Sequence, residues 1–295
     1  MSREFPATSW RSARNFLTHC KYQLNQGGLF MLRTFKILAA AAVIGLAAGN
    51  AFAQDTLEKI KTDGVIRIAI DLSVPPWSFK DDNLNPTGSE VETAKLLAAD
   101  LGVKMEIVGT NGANRIPYLM QNRADIIMSA LSITDERKKT IAFSLPYSGN
   151  TTSLFAPKDM EIKSFGDLSG KRIAVTRGTT NDNDITKNAP SDAEIIRFED
   201  EATTMTGVVS NQVDLVAIAQ SLVTLINQKN PAKNLEPKLE LRTATMGVGM
   251  RKDDVALKAW VDDWVKKNLA NGKLQQIYKK FQGTELPPQV TAEVK

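Results

Sequence analysis

From residue 55 onward, short apolar runs alternate with amphipathic stretches. A helical lead-in at 57–62 precedes the apolar run Val65–Ile70, which reads as a strand. A loop must follow, because Pro75 and Pro76 exclude a helix or a central strand. Over 90–101 the residues Val91, Ala94, Leu97 and Ala98 recur at helical spacing, and Gly102 supplies the stop. A strand at 104–109, a helix at 116–121, a strand at 125–129 and a helix at 135–140 complete a first set. The pattern then begins again. A strand at 172–176 leads through Arg177-Gly178-Thr179-Thr180 into a helix, followed by a strand at 194–198, a helix at 201–210, a strand at 215–218 and a helix at 220–227. Strands at 239–243 and 246–250 and amphipathic helices at 255–270 and 274–281 close the series. Trp260 and Trp264, spaced i, i+4, read as core anchors on one helix face. The tail 287–295 is polar and reads as a frayed end.

Alternating strands and helices predict an α/β fold with a largely parallel sheet. Because the pattern occurs twice, two lobes are predicted. Open α/β sheets bind ligands beyond the carboxyl ends of their strands, so two facing lobes would form a closable trap.

Charge and composition narrow the function. The chain has 295 residues with 42% hydrophobic, 24% charged and a formal net charge of +4. Six basic residues (Arg3, Arg11, Arg14, Lys21, Arg33 and Lys36) and one acid, Glu4, lie in 1–53, which leaves 31 basic and 32 acidic side chains beyond. The basic excess therefore sits at the start, and nucleic-acid binding is not expected. From Met31 a basic stretch, an apolar run and small residues at Ala51 and Ala53 form a secretory signal with an A-x-A cleavage site. Residues 1–30 read as an extension upstream of the natural start, and the mature chain is expected to begin at Gln54 in the periplasm. The single histidine, His19, and the single cysteine, Cys20, both lie in this leader. Beyond it there is no imidazole or thiol, so the usual nucleophilic triads and most transition-metal sites are not expected, and no cofactor is implied. Carboxylates, guanidinium groups and hydroxyls remain, a set suited to holding a small polar molecule.

Several ordered segments carry a resemblance. These are Gly64-Val65-Ile66-Arg67; Asp71 with Pro76-Trp77-Ser78-Phe79; Gly88 followed by Glu90 and Glu92; and Ser132-Ile133-Thr134-Asp135-Glu136-Arg137. Phe143-Ser144 with Pro146-Tyr147, Leu168-Ser169-Gly170-Lys171, Gly178-Thr179-Thr180 and Gly247-Val248-Gly249-Met250 continue the set. Across 55–285 the chain resembles the periplasmic solute-binding proteins of polar amino-acid ABC transporters, the family-3 extracellular group. The resemblance implies the type II periplasmic-binding-protein fold, two Rossmann-like lobes joined by two hinge crossings near 152–158 and 244–250. One lobe would then comprise 54–154 and 247–295, and the other 155–246. It implies a monomer that passes an amino acid to the membrane subunits of an ABC permease. No G-x-x-x-x-G-K-[ST] motif is present, so ATP hydrolysis would belong to another subunit.

The resemblance also assigns site residues. Arg137 would grip an α-carboxylate, a task its planar fork suits; the alternative is a helix salt bridge with Asp135 or Glu136. Ser132 would add a hydroxyl, and the segment holding Ser129 and Ala130 would offer backbone groups. Thr179 and Thr180 open a helix after a strand and would cradle the carboxylate from the other lobe. Asp71 would accept from a distal ligand nitrogen or cap its own loop, and Arg115 would reach the ligand or pair with Asp71. Val74 and Gly112 stand where many relatives place aromatic rings. Ala219, beside Gln220, stands where an acid usually receives the α-ammonium, with Glu201 as a candidate substitute. The runner-up is an exported cyclohexadienyl dehydratase on the same fold, with Asp182 as its acid.

Overall fold

The structure, a computed structural model, describes residues 55–213 and 215–292. The expected leader, its cleavage site, His19 and Cys20 lie outside the described residues. Helix α1 (Thr56–Asp63) leads into β1 (Val65–Ile70), β2 (Phe79–Lys80), β3 (Pro86–Thr87), α2 (Ser89–Leu101), β4 (Lys104–Gly109), α3 (Arg115–Met120), β5 (Ile126–Ile127) and α4 (Asp135–Lys138). A long strand β6 (Ala142–Pro157) follows, then β7 (Arg172–Thr176), α5 (Thr180–Asn188), β8 (Glu194–Phe198), α6 (Glu201–Val209), β9 (Leu215–Ala219) and α7 (Gln220–Lys229). A second long strand β10 (Leu235–Met250) precedes α8 (Val255–Ala270), α9 (Lys273–Gln282) and α10 (Pro288–Ala292).

The main sheet has eight strands in the order β4-β1-β5-β10-β6-β9-β7-β8. At one end β1 pairs parallel with β4 and β5, and at the other β7 pairs parallel with β8 and β9. Between these triplets, β6 and β10 pair antiparallel from Leu235↔Pro157 to Met250↔Ala142. The sheet is therefore mixed, not largely parallel: each lobe supplies a parallel triplet, and an antiparallel ribbon joins them. Each ribbon strand is 16 residues long, so the separate strands read at 239–243 and 246–250 are one. Register shifts at Pro237/Leu239, Glu240/Arg242 and the glycines near 247–249 let that strand bend from one core to the other. Such a strand has no single buried face, and this hid most of β6 from a period-2 reading.

The largest buried apolar cluster is continuous along the sheet and also takes in Val216, Ile218 and Leu222 of the second lobe, which has a further cluster of its own. Ile66, Ile68, Leu97, Val261 and Trp264 are buried together beside the first triplet, while Ile173, Val175, Ile185 and Leu215 are buried beside the second. Trp264 is a core anchor whose Nε1 donates to Asp100 at 2.8 Å, and Trp260 packs against the same cluster. The tail departs from its polar reading: α10 buries Val290 completely, and Pro287 Cγ would lie 3.3 Å from a Cβ added at Gly149 of β6. One buried valine in an otherwise polar stretch decides this.

Candidate functional site

The ends of β1, β5, β7 and β9 and the starts of α3, α5 and α6 converge on a cavity of about 40 Å³. That holds more than one water, yet the walls close around it tightly. Asp71, Val74, Arg115, Ala130, Ser132, Arg137, Thr179, Thr180, Glu201 and Ala219 all line it. Ser129 stands one step behind. Its Oγ accepts from Asp71 N at 2.9 Å, and its carbonyl accepts from Arg115 Nη1 at 2.5 Å. Gln220 is exposed and does not line the cavity; it lines an adjoining open groove of about 1140 Å³ that shares Trp77, Asn150 and Ala219 with it.

The lobe-1 wall is built on the segment 129–132. Ala130 adopts the left-handed conformation (φ +46) and donates its N–H to Glu90 Oε2 at 3.2 Å. Glu90 also accepts from Tyr147 Oη at 2.6 Å, and burial pushes its carboxyl up to about 6. On either side of Ala130, the carbonyls of Ser129 and Ser132 hold the two cavity guanidinium groups. Arg137 Nη1 donates to Ser132 O at 2.9 Å, while Thr134 caps α4 by accepting from Arg137 N at 3.2 Å. The helix salt bridge does not form: Asp135 pairs with Lys138 at 3.5 Å and Glu136 with Lys139 at 2.7 Å. Burial, with lesser repulsion from Arg115 and Arg242, lowers the Arg137 guanidinium to about 9. No carboxylate among the described residues makes an ion pair with it.

Arg115 is buried more completely than Arg137, and burial lowers its pKa while Asp71, Glu201 and Glu90 oppose that shift. It makes no contact ion pair with Asp71. The Asp71 Oδ1 instead accepts from Ser73 N at 2.9 Å and Ser73 Oγ at 2.7 Å, so it caps its loop while lining the cavity. Burial raises its pKa, against the pull of those hydrogen bonds and of Arg115.

On the lobe-2 wall, Thr179 caps α5: its Oγ1 donates to Thr176 O at 2.7 Å and accepts from Asp182 N at 3.2 Å. Glu201 opens α6 and accepts from Thr176 Oγ1 at 2.7 Å. Burial pushes its carboxyl up to about 7, with Asp71 adding to the shift and Arg115 opposing it. Asp182, the acid of the runner-up reading, is engaged elsewhere. It does not line the cavity, its Oδ1 pairs with Arg197 Nε at 2.8 Å, and its Oδ2 accepts from Gly178 N at 3.2 Å. Trp77, Asn150, Thr152, Thr176 and Asn181 also line the cavity and were not singled out from the sequence as site residues. Asn181 adjoins the Gly178-Thr179-Thr180 motif and Trp77 follows Pro76, so both carried a local signal. Asn150 and Thr152 lie on β6 and carried none.

The two walls touch. A Cβ added at Gly112 would lie 2.6 Å from Arg177 O, and one added at Gly178 (φ +73) would lie 2.7 Å from Ala113 Cα. Glu201 N donates to Ser73 Oγ at 3.3 Å, and Trp77 Nε1 to Ser221 Oγ at 3.4 Å. Gly112 thus stands where the lobes need close backbone approach.

Two α/β lobes joined by a two-stranded ribbon, with a cavity between them walled by arginines and carboxylates, define a two-lobed binding protein of the type II periplasmic class. The profile of the bacterial extracellular solute-binding proteins, family 3, matches residues 66–284, and the chain belongs to that family. It is 27% identical over 253 residues to the L-cystine-binding protein TcyJ of Escherichia coli K12, covering 85% of this chain and 94% of the relative. It is 28% identical over 254 residues to the cyclohexadienyl dehydratase of Pseudomonas aeruginosa, covering 83% and 94%. Among solved structures, an ancestral amino acid-binding protein described as a precursor of cyclohexadienyl dehydratase matches with a TM-score of 0.68 and 33% identity, covering 77% of this chain and 99% of that one. No helix among the described residues is long and apolar enough to cross a membrane.

Proposed function

We propose that this chain is the substrate-binding component of an ABC importer, capturing a small polar amino acid or related zwitterion between its lobes and delivering it to the membrane permease. The observation that carries this reading is Arg137, a half-buried guanidinium on the cavity wall with no acidic partner among the described residues. Such a group needs an anion, and a carboxylate matches its fork with two parallel hydrogen bonds. The family and its amino-acid-binding relatives support the same reading. In this reading residues 31–53 direct export to the periplasm, the chain works as a monomer, and the lobes comprise 54–154 with 247–295 and 155–246. Ligand contacts come from Asp71, Val74, Arg115, Ala130, Ser132, Arg137, Thr179, Thr180, Glu201 and Ala219, with Ser129 holding Arg115 from behind.

A thermal-shift screen of amino acids, opines, polyamines and organic acids tests the reading. A ligand at a thousandfold excess over Kd stabilises the native state by about 4 kcal/mol. Arg137→Ala is expected to abolish the shift that any hit produces; a wild-type response from that variant would remove the carboxylate assignment. The dehydratase relative motivates one further arm, incubation with prephenate followed by ultraviolet spectroscopy. The ion pair of Asp182 with Arg197 leaves that residue poorly placed to be the acid of such a reaction.

A further inference from the structure

Glu90 is a buried carboxylate that the ligand reading leaves unused. It lies in the first turn of α2, where an acid ordinarily sits in water and serves the helix dipole. Here it is 1% exposed, and it stands behind the cavity wall without lining the cavity. Its Oε2 accepts from Tyr147 Oη at 2.6 Å and from Ala130 N at 3.2 Å. Both donors occupy unusual backbone positions. The pairing of β6 with β10 passes from Ser148↔Met246 to Pro146↔Gly247, so Tyr147 is the extra residue of a bulge. Ala130 is left-handed at φ +46, a conformation that is costly for alanine and persists only where the surroundings impose it.

The N–H of Ala130 and the carbonyl of Ser129 belong to one peptide unit. That unit is planar, so the two groups point in opposite directions. Glu90 accepts from the N–H end, while the carbonyl end accepts from Arg115 Nη1 at 2.5 Å. Among the described residues the other hydrogen bond of that guanidinium, from Nε to Gly112 O, is long at 3.4 Å. The Ser129 carbonyl is therefore the main hold on Arg115. We propose that Glu90 is a positioning residue, which fixes the Ser129–Ala130 peptide from behind so that its carbonyl keeps Arg115 in the binding orientation. This rests on the functional reading above, in which Arg115 is a ligand contact, and adds a residue that touches no ligand. The charges favour the arrangement: a carboxylate at the N–H end and a guanidinium at the carbonyl end polarise the same peptide in one direction, and each strengthens the other's hydrogen bond. Burial raises the Glu90 pKa to about 6, against the pull of Tyr147, Ala130 and Arg115, so the group is ionised at neutral pH. Without an acceptor in that place the strained peptide gains by turning over, which takes the carbonyl away from Arg115.

Nitrogen-15 NMR of the ligand-free chain reads this directly, through the hydrogen-exchange rate of the Arg115 guanidinium protons. Arg251, which donates to Leu119 O and Ala124 O at 3.1 Å each near the far end of α3, is the internal control. Glu90→Leu should speed exchange at Arg115 by about tenfold or more and leave Arg251 as it was. Glu90→Gln keeps an acceptor oxygen and should stay within about threefold of wild type. Tyr147→Phe removes one of the two donors that hold the carboxylate and should give an intermediate rate, even where Glu90→Leu does not fold. For binding, the standard amino acids and L-cystine are screened on the wild type, and the one that stabilises it most is titrated calorimetrically into each variant. Its affinity should fall about tenfold or more in Glu90→Leu and return in Glu90→Gln. Exchange at Arg115 unmoved by Glu90→Leu and Tyr147→Phe, or accelerated equally at Arg251, overturns the inference, as does a Glu90→Gln variant as impaired as Glu90→Leu. Wild-type affinity beside accelerated exchange overturns its bearing on binding. If no amino acid stabilises the wild type, the functional reading falls, and the exchange rates alone still decide what Glu90 holds.

Discussion

Gly112 offers a test of whether closure of the lobes is part of binding. Its φ lies outside the left-handed range, so alanine is conformationally allowed there, and the difficulty is contact alone. The added Cβ would sit 2.6 Å from Arg177 O and 3.3 Å from Thr179 Cγ2. The first neighbour is backbone and cannot swing aside, so one loop must retreat. Overpacking of this kind costs about 1–3 kcal/mol. Because Gly112 and Arg177 belong to opposite lobes, the cost falls on the closed form and not on either lobe. At 1.4 kcal/mol per tenfold, Gly112→Ala should weaken ligand binding by about 5- to 150-fold. The assay is calorimetric titration with an amino acid that stabilises the wild type, beside urea denaturation without ligand. Wild-type affinity in Gly112→Ala would refute the contact as a feature of the bound state. A matching loss of ligand-free stability would refute its assignment to closure.

Three further outcomes are expected. Glu201 and Glu90 are raised from 4.5 to about 7 and about 6, so the folded chain holds protons that the unfolded chain has released. Ligand-free stability should therefore fall as pH rises from about 4.5 to about 7, with on the order of 3 kcal/mol from Glu201 alone. Glu201→Gln should flatten that slope in urea denaturation, and parallel slopes would count against the burial argument. Asp182→Ala removes the partner of Arg197 Nε and Gly178 N and should lower the unfolding free energy by about 1–3 kcal/mol, measured by thermal denaturation. Val290→Asp places a charge in a fully buried position of α10 and should cost about 2–4 kcal/mol by the same measurement; an unchanged melt would show that the tail does not pack.

Much of this protein can be read from local pattern. The strands Val65–Ile70, Lys104–Gly109, Arg172–Thr176 and Glu194–Phe198 have the bounds the sequence pattern predicts, β1 and β7 as largely buried apolar runs and β4 and β8 as half-exposed edge strands. Helix 255–270 is equally legible, because its apolar stripe keeps one period for four turns. The placement of Arg137, Thr179 and Thr180 at helix starts after strands is local too. What tertiary structure alone decided involves residues whose partners are distant in the chain. β6 and β10 pass from one core to the other, so no single periodicity marks them. Gln220 lines only the open groove, while its neighbour Ala219 borders both the groove and the cavity. Asp182 looks like a free helix-start acid until Arg197, 15 residues on, is folded against it. Above all, the cavity brings Asp71, Arg115 and Arg137 opposite Asn181 and Glu201 through the ribbon that stacks the lobes. Sequence spacing cannot encode that juxtaposition, because it arises from strand order and lobe approach, which are properties of the whole sheet.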